Sequence, residues 1–398
     1  MSVNYGAVTG GTVIGGTTAW VNGNILFEAL TNNTTAPIDV VYTFNVTTPS
    51  TTPSCPIVPV NQIVTVRVQP AAAFTTTNGA AQICSGSNTN ITLNTGVTGA
   101  QIRLQSVSYG AASGTLANGA MFTDGQKITE VLSNNTNSPV TVTYTFEAVV
   151  GGCTPSGTQS VQVIVNPNPS FTATNNAATI CSGTATNIAF ASPTAGHQIN
   201  VVSATYGSVT GGTVTSGVTT YVNGNSLIET LTNNTIAPID VVYVFNVTTP
   251  GTTPSCPVST SNQSVTVRVL PTPVFTFTNG AGQICSGSQS NITLNTTISG
   301  AQVRLKLVSY GAVSGTLAAG ALYNDGQKIT EVLSNNTNAP VTVTYTFEAI
   351  VGACTPSSIQ TTNVIVNPNP TFTATNSNPN ICSNSPTNIA FSSPTNWP

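Results

Sequence analysis

Ile180-Cys181-Ser182-Gly183, followed by Asn187-Ile188-Ala189-Phe190, is the stretch whose reading decides the architecture. It returns as Ile83-Cys84-Ser85-Gly86 with Asn90-Ile91, as Ile284-Cys285-Ser286-Gly287 with Asn291-Ile292, and as Ile381-Cys382 with Asn388-Ile389. A second block, Glu-x-Leu-Ser/Thr-Asn-Asn-Thr-x-x-Pro, recurs at Glu28–Pro37, Glu130–Pro139, Glu229–Pro238 and Glu331–Pro340. Two blocks in fixed order, each present four times, mean an array of similar domains rather than one large enzyme.

Composition points the same way. Only 4% of the 398 residues are charged, against roughly 25% in an ordinary soluble protein. Disordered chains are highly charged and poor in β-branched residues, whereas Val, Ile and Thr dominate here, so the chain reads as all-β. The net charge is −3 with seven Lys and Arg in all; no basic stripe exists to neutralise phosphates, which excludes a nucleic-acid partner. No apolar run approaches the ~20 residues that span a bilayer, and Met1-Ser2-Val3-Asn4 lacks the start of a signal peptide. Because the chain opens and closes inside a repeat, it reads as a fragment of something longer. Eight Cys in regular register, at 55, 84, 153, 181, 256, 285, 354 and 382, favour disulfides and an oxidising, extracellular compartment.

Taken in order, residues 1–69 read as the back of one domain, with strands at Asp39–Val46 and Ile63–Val68. Residues 70–166 form a whole repeat. Its clearest strand is Val140-Thr141-Val142-Thr143-Tyr144-Thr145-Phe146-Glu147, whose alternation places Val140, Val142, Tyr144 and Phe146 in a dry core and the Thr in solvent. Asn166-Pro167-Asn168-Pro169, Pro271-Thr272-Pro273 and Asn367-Pro368-Asn369-Pro370 are joints, since such segments lack donors and stay extended. They divide the chain into 1–69, 70–166, 167–270, 271–367 and 368–398. The period is doubled: Cys55 to Cys256, Cys84 to Cys285 and Cys153 to Cys354 are each 201 residues apart (285 − 84 = 201), so two domain types alternate. About seven short strands per ~100 residues, no helix and frequent turn signals indicate immunoglobulin-like β-sandwiches in a linear head-to-tail array. Asn134–Pro139 links two strands that cross between the sheets.

The Ile-Cys-Ser-Gly turn, the Leu-Thr-Asn-Asn-Thr-x-x-Pro loop, the Val-x-Tyr-x-Phe strand and the Val-Asn-Pro-x-Pro joint resemble the PKD-like and immunoglobulin-like repeats of Bacteroidetes surface adhesins, gliding-motility adhesins among them. The resemblance covers essentially the whole chain. It implies export by the type nine secretion system, a cell-surface location and a role as stalk or adhesive fibre. The family's signal peptide, C-terminal sorting domain and Asp-Ser/Thr glycosylation motif do not occur here.

Other chemistry fails on inventory. One His, His197, cannot serve a repeated Ser-His-acid or Cys-His site. Glu130 with Glu147, and Glu331 with Glu348, could pair as glycosidase carboxylates. The other domain type, however, has Asn45 and Asn246 at the second position, and the plainer role for such a Glu is closing a turn on backbone amides. Asp124-Gly125 and Asp325-Gly326 are the best calcium candidates, but a calcium site needs several oxygen ligands. With Cys-x-x-Cys absent, no zinc site is expected. Lys127, Lys306 and Lys328 are too few for a general Lys–Asn isopeptide staple. Trp20, Tyr221 and Trp397 could stack on sugars or fill a core or a joint. The chain thus reads as a structural segment without catalytic residues, cofactor or metal; the alternative is a module that binds a surface polysaccharide.

Two expectations concern connections. Pairs within repeats would be Cys84–Cys153, Cys181–Cys256 and Cys285–Cys354. In immunoglobulin topology the first turn and last hairpin sit at opposite ends of a sandwich, and a disulfide spans at most ~7 Å between Cα atoms. Pairs between neighbouring repeats, Cys84–Cys256 and Cys181–Cys354, are therefore favoured slightly. Residues 1–69 align with 202–270 and so lack the first two strands, while 371–398 align with 170–197 and supply only those. The front strands, with Phe372, Ile381, Ile389 and Phe391, are expected to complete the domain begun at Val3–Val68, between copies or in a longer covalent array.

Overall fold

The structure, a computed structural model, describes residues 1–48, 60–153, 157–257, 261–355 and 359–395. Every regular element among the described residues is a strand. Contacts divide the chain into two compact units, Met1–Phe171 with Ser192–Gln198 and Val247–Ser261, and Thr172–Ala191 with Ile199–Asn246 and Asn262–Pro398.

The first unit holds one complete sandwich. Thr75–Asn78, Ile91–Asn94 and Lys127–Ile128 form one sheet; Gln82–Cys84, Thr158–Asn166, Val140–Val150, Ala100–Ser108 and Met121–Phe122 form the other, in that order. The chain starts in the smaller sheet and crosses at Gln82–Cys84 to run parallel to Thr158–Asn166, with Ile83 opposite Val165. A first strand split between sheets, one half parallel to the last strand, is an immunoglobulin-like arrangement. The core follows from the alternation: Ile91, Leu93, Ile102, Leu104, Tyr144 and Phe146 are all sealed from solvent. Tyr144 and Phe146, two residues apart and hence on one face, stack 6.3 Å apart.

Three details differ from the alternation of the sequence. Val140 is half-buried, at the start of its strand. Thr143 and Thr145 are half-buried rather than in solvent, because Gln162 and Ser160 lie directly opposite them and Thr145 Oγ1 lies 3.1 Å from Ser160 Oγ. Glu147 shares their outward face yet is buried, since Arg103 stands opposite it in the ladder and covers it.

The same unit begins with a three-stranded sheet of Ser2–Asn4, Ile38–Phe44 and Gln62–Val68. Val8, Val13, Val40 and Tyr42 form a small core against it, but most of Gln62–Val68 is exposed.

In the second unit Thr172–Asn175, Ile188–Ala191 and Ser226–Leu227 face a sheet ordered Thr179–Cys181, Gln263–Leu270, Ile239–Thr248, Gln198–Thr205 and Thr220–Tyr221. The next sandwich repeats this with Gln283–Cys285, Gln360–Asn367, Val341–Val351, Ala301–Ser309 and Leu322–Tyr323. Thr373–Asn376 and Ile389–Ser392 then pair as an antiparallel ribbon in which every residue is exposed.

Candidate functional site

The second repeated block proves to be two polar devices, with the Glu buried at 130, 229 and 331 and half-buried at 28. Its Glu is a four-donor hub. Glu130 Oε1 accepts from the amides of Thr115 and Leu116 and from Tyr109 Oη at 2.5 Å, while Oε2 accepts from Tyr144 Oη at 2.5 Å. Glu229 gathers Thr213 N, Val214 N, Tyr206 Oη and Tyr243 Oη, and Glu331 gathers Thr316 N, Leu317 N, Tyr310 Oη and Tyr345 Oη. Glu28 does the same with Thr12, Val13, Tyr5 and Tyr42. Burial works to raise the Glu28 pKa, but hydrogen bonds from Tyr42, Tyr5, Thr12 and Val13 outweigh it and hold the group at about 2. Burial first, then the bond to the carboxylate, drives the Tyr144, Tyr243 and Tyr345 phenols above their ordinary range. A carboxylate saturated by four donors is a brace, not a proton shuttle.

The Asn two residues past the Leu is the second device. Asn134 donates through Nδ2 to the Ser138 and Val165 carbonyls at 2.9 and 2.7 Å, and its Oδ1 accepts from Thr136 N and Oγ1. Asn32, Asn233 and Asn335 repeat these bonds. The loop that crosses between sheets is thereby tied to the last strand.

Sequence reasoning anticipated a turn-closing Glu but missed its tyrosine partners. The signal was available: Tyr109 and Tyr310 each precede their Glu by 21 residues, Tyr5 and Tyr206 by 23. Glu147 and Glu348 are not partners of the hubs. Glu147 accepts from Arg103 Nε at 2.6 Å, and Glu348 from Arg304 and from Lys306 at 3.3 Å. The other domain type places Asn200 Nδ2 3.0 Å from Asn246 Oδ1 at the matching site. An ion pair in one type is thus a neutral amide pair in the next.

The other chemical candidates have structural roles as well. Asp124 and Asp325 accept from the amides of Thr95 and Thr296 at 2.6 and 2.8 Å. Trp20 meets Phe44 edge-on at 5.9 Å, and Tyr221 stacks on Phe190 at 4.6 Å; Trp397 lies outside the described residues. His197 Nδ1 sits 2.6 Å from the Thr194 carbonyl. No group of three or more His, Cys, Asp or Glu that could hold a metal ion occurs among the described residues. No helix among them is long and apolar enough to cross a membrane.

The cysteine turns carry the distinctive geometry. Cys84 is bonded to Cys256 with Cα atoms 5.7 Å apart, and Cys181 to Cys354 at 5.6 Å. Each bond joins the first-strand turn of one repeat to the last loop of the repeat that follows. The turn itself is clamped. Ser182 N donates to Leu270 O and Gly183 N to Leu231 O, while Ser182 Oγ bonds Asn233. Gly183 adopts φ 80°, a left-handed conformation that glycine takes without strain. Cys153, Cys285 and Cys382 are exposed free thiols; Cys55 lies outside the described residues. Phe372, Ile381, Ile389 and Phe391 are exposed on the terminal ribbon and its turn.

No family model matches the chain, and no curated protein matches it. Solved structures it is similar to include the Escherichia coli adhesin FdeC, at 15% identity over 75% of this chain and 99% of that one, with a TM-score of 0.33. Titin domains I67–I69 share 10% identity over 75% and 98%, with a TM-score of 0.38. The ICAM-5 D1–D4 fragment shares 12% over 77% and 80%, with a TM-score of 0.37.

Proposed function

We propose that this chain is a non-enzymatic structural segment of an extracellular bacterial surface fibre or adhesin stalk, in which sandwiches follow one another head to tail. The observation that carries this is the pair of disulfides that tie consecutive repeats together, Cys84–Cys256 and Cys181–Cys354. A bond that links the turn of one repeat to the loop of the next adds nothing to chemistry at a site, but it limits how far the joint between repeats can open under load. The placement of polar groups agrees: the four hub glutamates, Glu147, Glu348, Asp124 and Asp325 are engaged by backbone amides, tyrosines or cations. The polysaccharide-binding alternative needs exposed aromatic residues on loops; the candidates Trp20 and Tyr221 are packed on Phe44 and Phe190, and Phe27 is an exposed loop aromatic that this alternative would have to use. The disulfides also suit an oxidising, cell-surface location, and the resemblance to Bacteroidetes adhesin repeats adds the type nine route as the means of export.

Further copies or repeats of the chain are the partners in this reading, joined by the front strands with Phe372, Ile381, Ile389 and Phe391. Sedimentation of the full chain across a range of concentrations tests it. Open-ended, concentration-dependent multimers are expected, because a heterologous contact does not close on itself. A monodisperse monomer at every concentration, with glycan binding instead, would overturn it.

A further inference from the structure

Within the second block, the bonds made by Asn and Thr leave one residue facing outward. In Asn233-Asn234-Thr235-Ile236-Ala237-Pro238, Asn233 Nδ2 and Thr235 Oγ1 both donate to the Ala237 carbonyl, and Thr235 N donates back to Asn233 Oδ1. Ile236 lies between these tied residues with its side chain 61% exposed. Its carbonyl accepts from Ser299 N, in the repeat that follows, at 2.8 Å. The first unit makes the same bond twice: Thr98 N donates to Thr35 O at 2.8 Å, and Ala195 N to Asn137 O at 2.9 Å. In each case the acceptor is the residue after Asn-Asn-Thr, and the donor belongs to the next repeat.

The donors also share a local structure. Thr98, Ala195 and Ser299 each precede a glycine, and Gly99, Gly196 and Gly300 hold φ 76°, 68° and 74°. Ala100 N closes on Val97 O and Ala301 N on Ile298 O, both at 3.1 Å. A four-residue turn with a left-handed glycine at its third position leaves the second amide free for an outside acceptor. The side chains at the two ends of the bond vary, Thr35, Asn137 and Ile236 against Thr98, Ala195 and Ser299, and all six residues are exposed. What recurs is the backbone: Asn and Thr fold one loop, and Gly folds the other. A contact read through backbone groups explains why the block keeps Asn-Asn-Thr and Pro yet changes the residue after the Thr.

In the second unit apolar packing backs this bond. Ile298, at the head of the turn, is buried with Ala301, Val351 and Cys354 of its own repeat and with Leu270 of the preceding one, and Cys181 packs against them. A Cβ on Gly352 would stand 3.2 Å from Leu270 Cδ1, so a side chain there would crowd the joint.

We propose that the Asn-Asn-Thr-x-x-Pro loop is a docking surface for the glycine turn of the repeat that follows. This contact, rather than the disulfide, sets the angle at which the repeats 167–270 and 271–367 meet. The Cys181–Cys354 bond lies beside a joint that is already aligned, and it limits how far that contact can part. The inference concerns joints inside one chain; it goes beyond the stalk reading and needs no assembly between chains.

Hydrogen–deuterium exchange on the unaltered full chain, resolved to single amides, tests the contact without any substitution. The amides of Thr98, Ala195 and Ser299 should exchange slowly although their residues are exposed. Exchange at the rate of an unstructured peptide overturns the docking, and this reading holds even where a variant fails to fold. Spin labels on unnatural residues at the exposed positions 228 and 330 then report the joint as a distance distribution, at a dilution where only single chains contribute. With Cys181→Ser and Cys354→Ser, its mean and width should match those of the parent. Adding Ile298→Ala and Ser299→Pro removes the packing and the amide, while proline still suits the second position of such a turn. The distribution should then broaden roughly twofold, towards the freedom of domains joined by a linker alone. Ser299→Ala keeps the amide and should change nothing. Full broadening on loss of the disulfide alone, or none with Ile298→Ala and Ser299→Pro, overturns the docking surface. Broadening by Ser299→Ala overturns its backbone character. Multimers, present or absent at higher concentration, bear on the stalk reading and leave this result untouched.

Discussion

Reducing the two disulfides should lengthen the chain under tension by an amount the connectivity fixes. Cys84–Cys256 and Cys181–Cys354 close loops of 172 and 173 residues, and the two loops overlap from Cys181 to Cys256. With both bonds intact, the taut path crosses from Cys84 to Cys256, runs back along the overlap to Cys181, and crosses to Cys354. With both cut, it follows the whole backbone from Cys84 to Cys354. Reduction therefore frees about 195 residues (354 − 84 less 256 − 181), or about 640–700 Å of contour length at ~3.3–3.6 Å per extended residue. Force spectroscopy on the full chain, pulled from its ends with and without reductant, reads the difference directly. The bonds should also change the order of events, since the complete sandwich at 75–166 cannot extend past Cys84 until its bond to Cys256 is cut. An unchanged final length on reduction would refute the interlocked pairing. A gain matching the Cys84-to-Cys153 interval for each bond would instead reveal closure within single repeats.

Four further outcomes follow from the hubs and the core. Glu331→Ala should cost about 3–5 kcal/mol in its own sandwich, because two amides and two tyrosine hydroxyls lose their acceptor in a dry site; chemical denaturation measures it, and a loss under about 1 kcal/mol would remove the brace interpretation. Phe146→Ala, which empties a sealed core position, should cost about 3–5 kcal/mol, read by the same assay. The hub tyrosines Tyr144, Tyr243 and Tyr345 have raised pKa values, so the stability they contribute is intact below their unfolded value near 10 and is lost as pH rises above it. Phenolate absorbance should accordingly lag behind free tyrosine and appear together with loss of β signal. Glu28 has the opposite sign: held at about 2, it stabilises fully above its ordinary value near 4.5, and that contribution disappears as pH falls through about 2.

Legibility in the sequence followed the physics of each feature. Strand faces were readable because a period of two is local, and Val142, Tyr144 and Phe146 lie where the alternation put them. Glu147 escaped that reading because its burial depends on Arg103, 44 residues away and placed opposite by the ladder register. The hub tyrosines escaped for the same reason, being fixed to their Glu across a sheet-to-sheet distance that no local pattern encodes. The Asn-Asn-Thr-x-x-Pro block looked like an ordinary turn, yet only the fold reveals that Asn134 reaches the last strand at Val165 as well as its own loop.

The cysteines show where periodicity outperforms propensity. Spacing alone allows each Cys to close its own repeat, and nothing in the local sequence of Cys84 distinguishes Cys153 from Cys256. Topology decides, because splitting the first strand sends the Ile-Cys turn to the end of the sandwich occupied by the last residues of the final strand, with Cys84 opposite Asn166. The loop holding Cys153 follows Val150 at the other end of the neighbouring strand, where Val140 faces Val165. Val140–Val150 spans 11 residues, about 33 Å at ~3.3 Å per step, far beyond what a disulfide can bridge. A cysteine in that turn must therefore look forward along the array for its partner. The second domain type obeys the same rule, with Cys181 bonded to Cys354 of the repeat that follows.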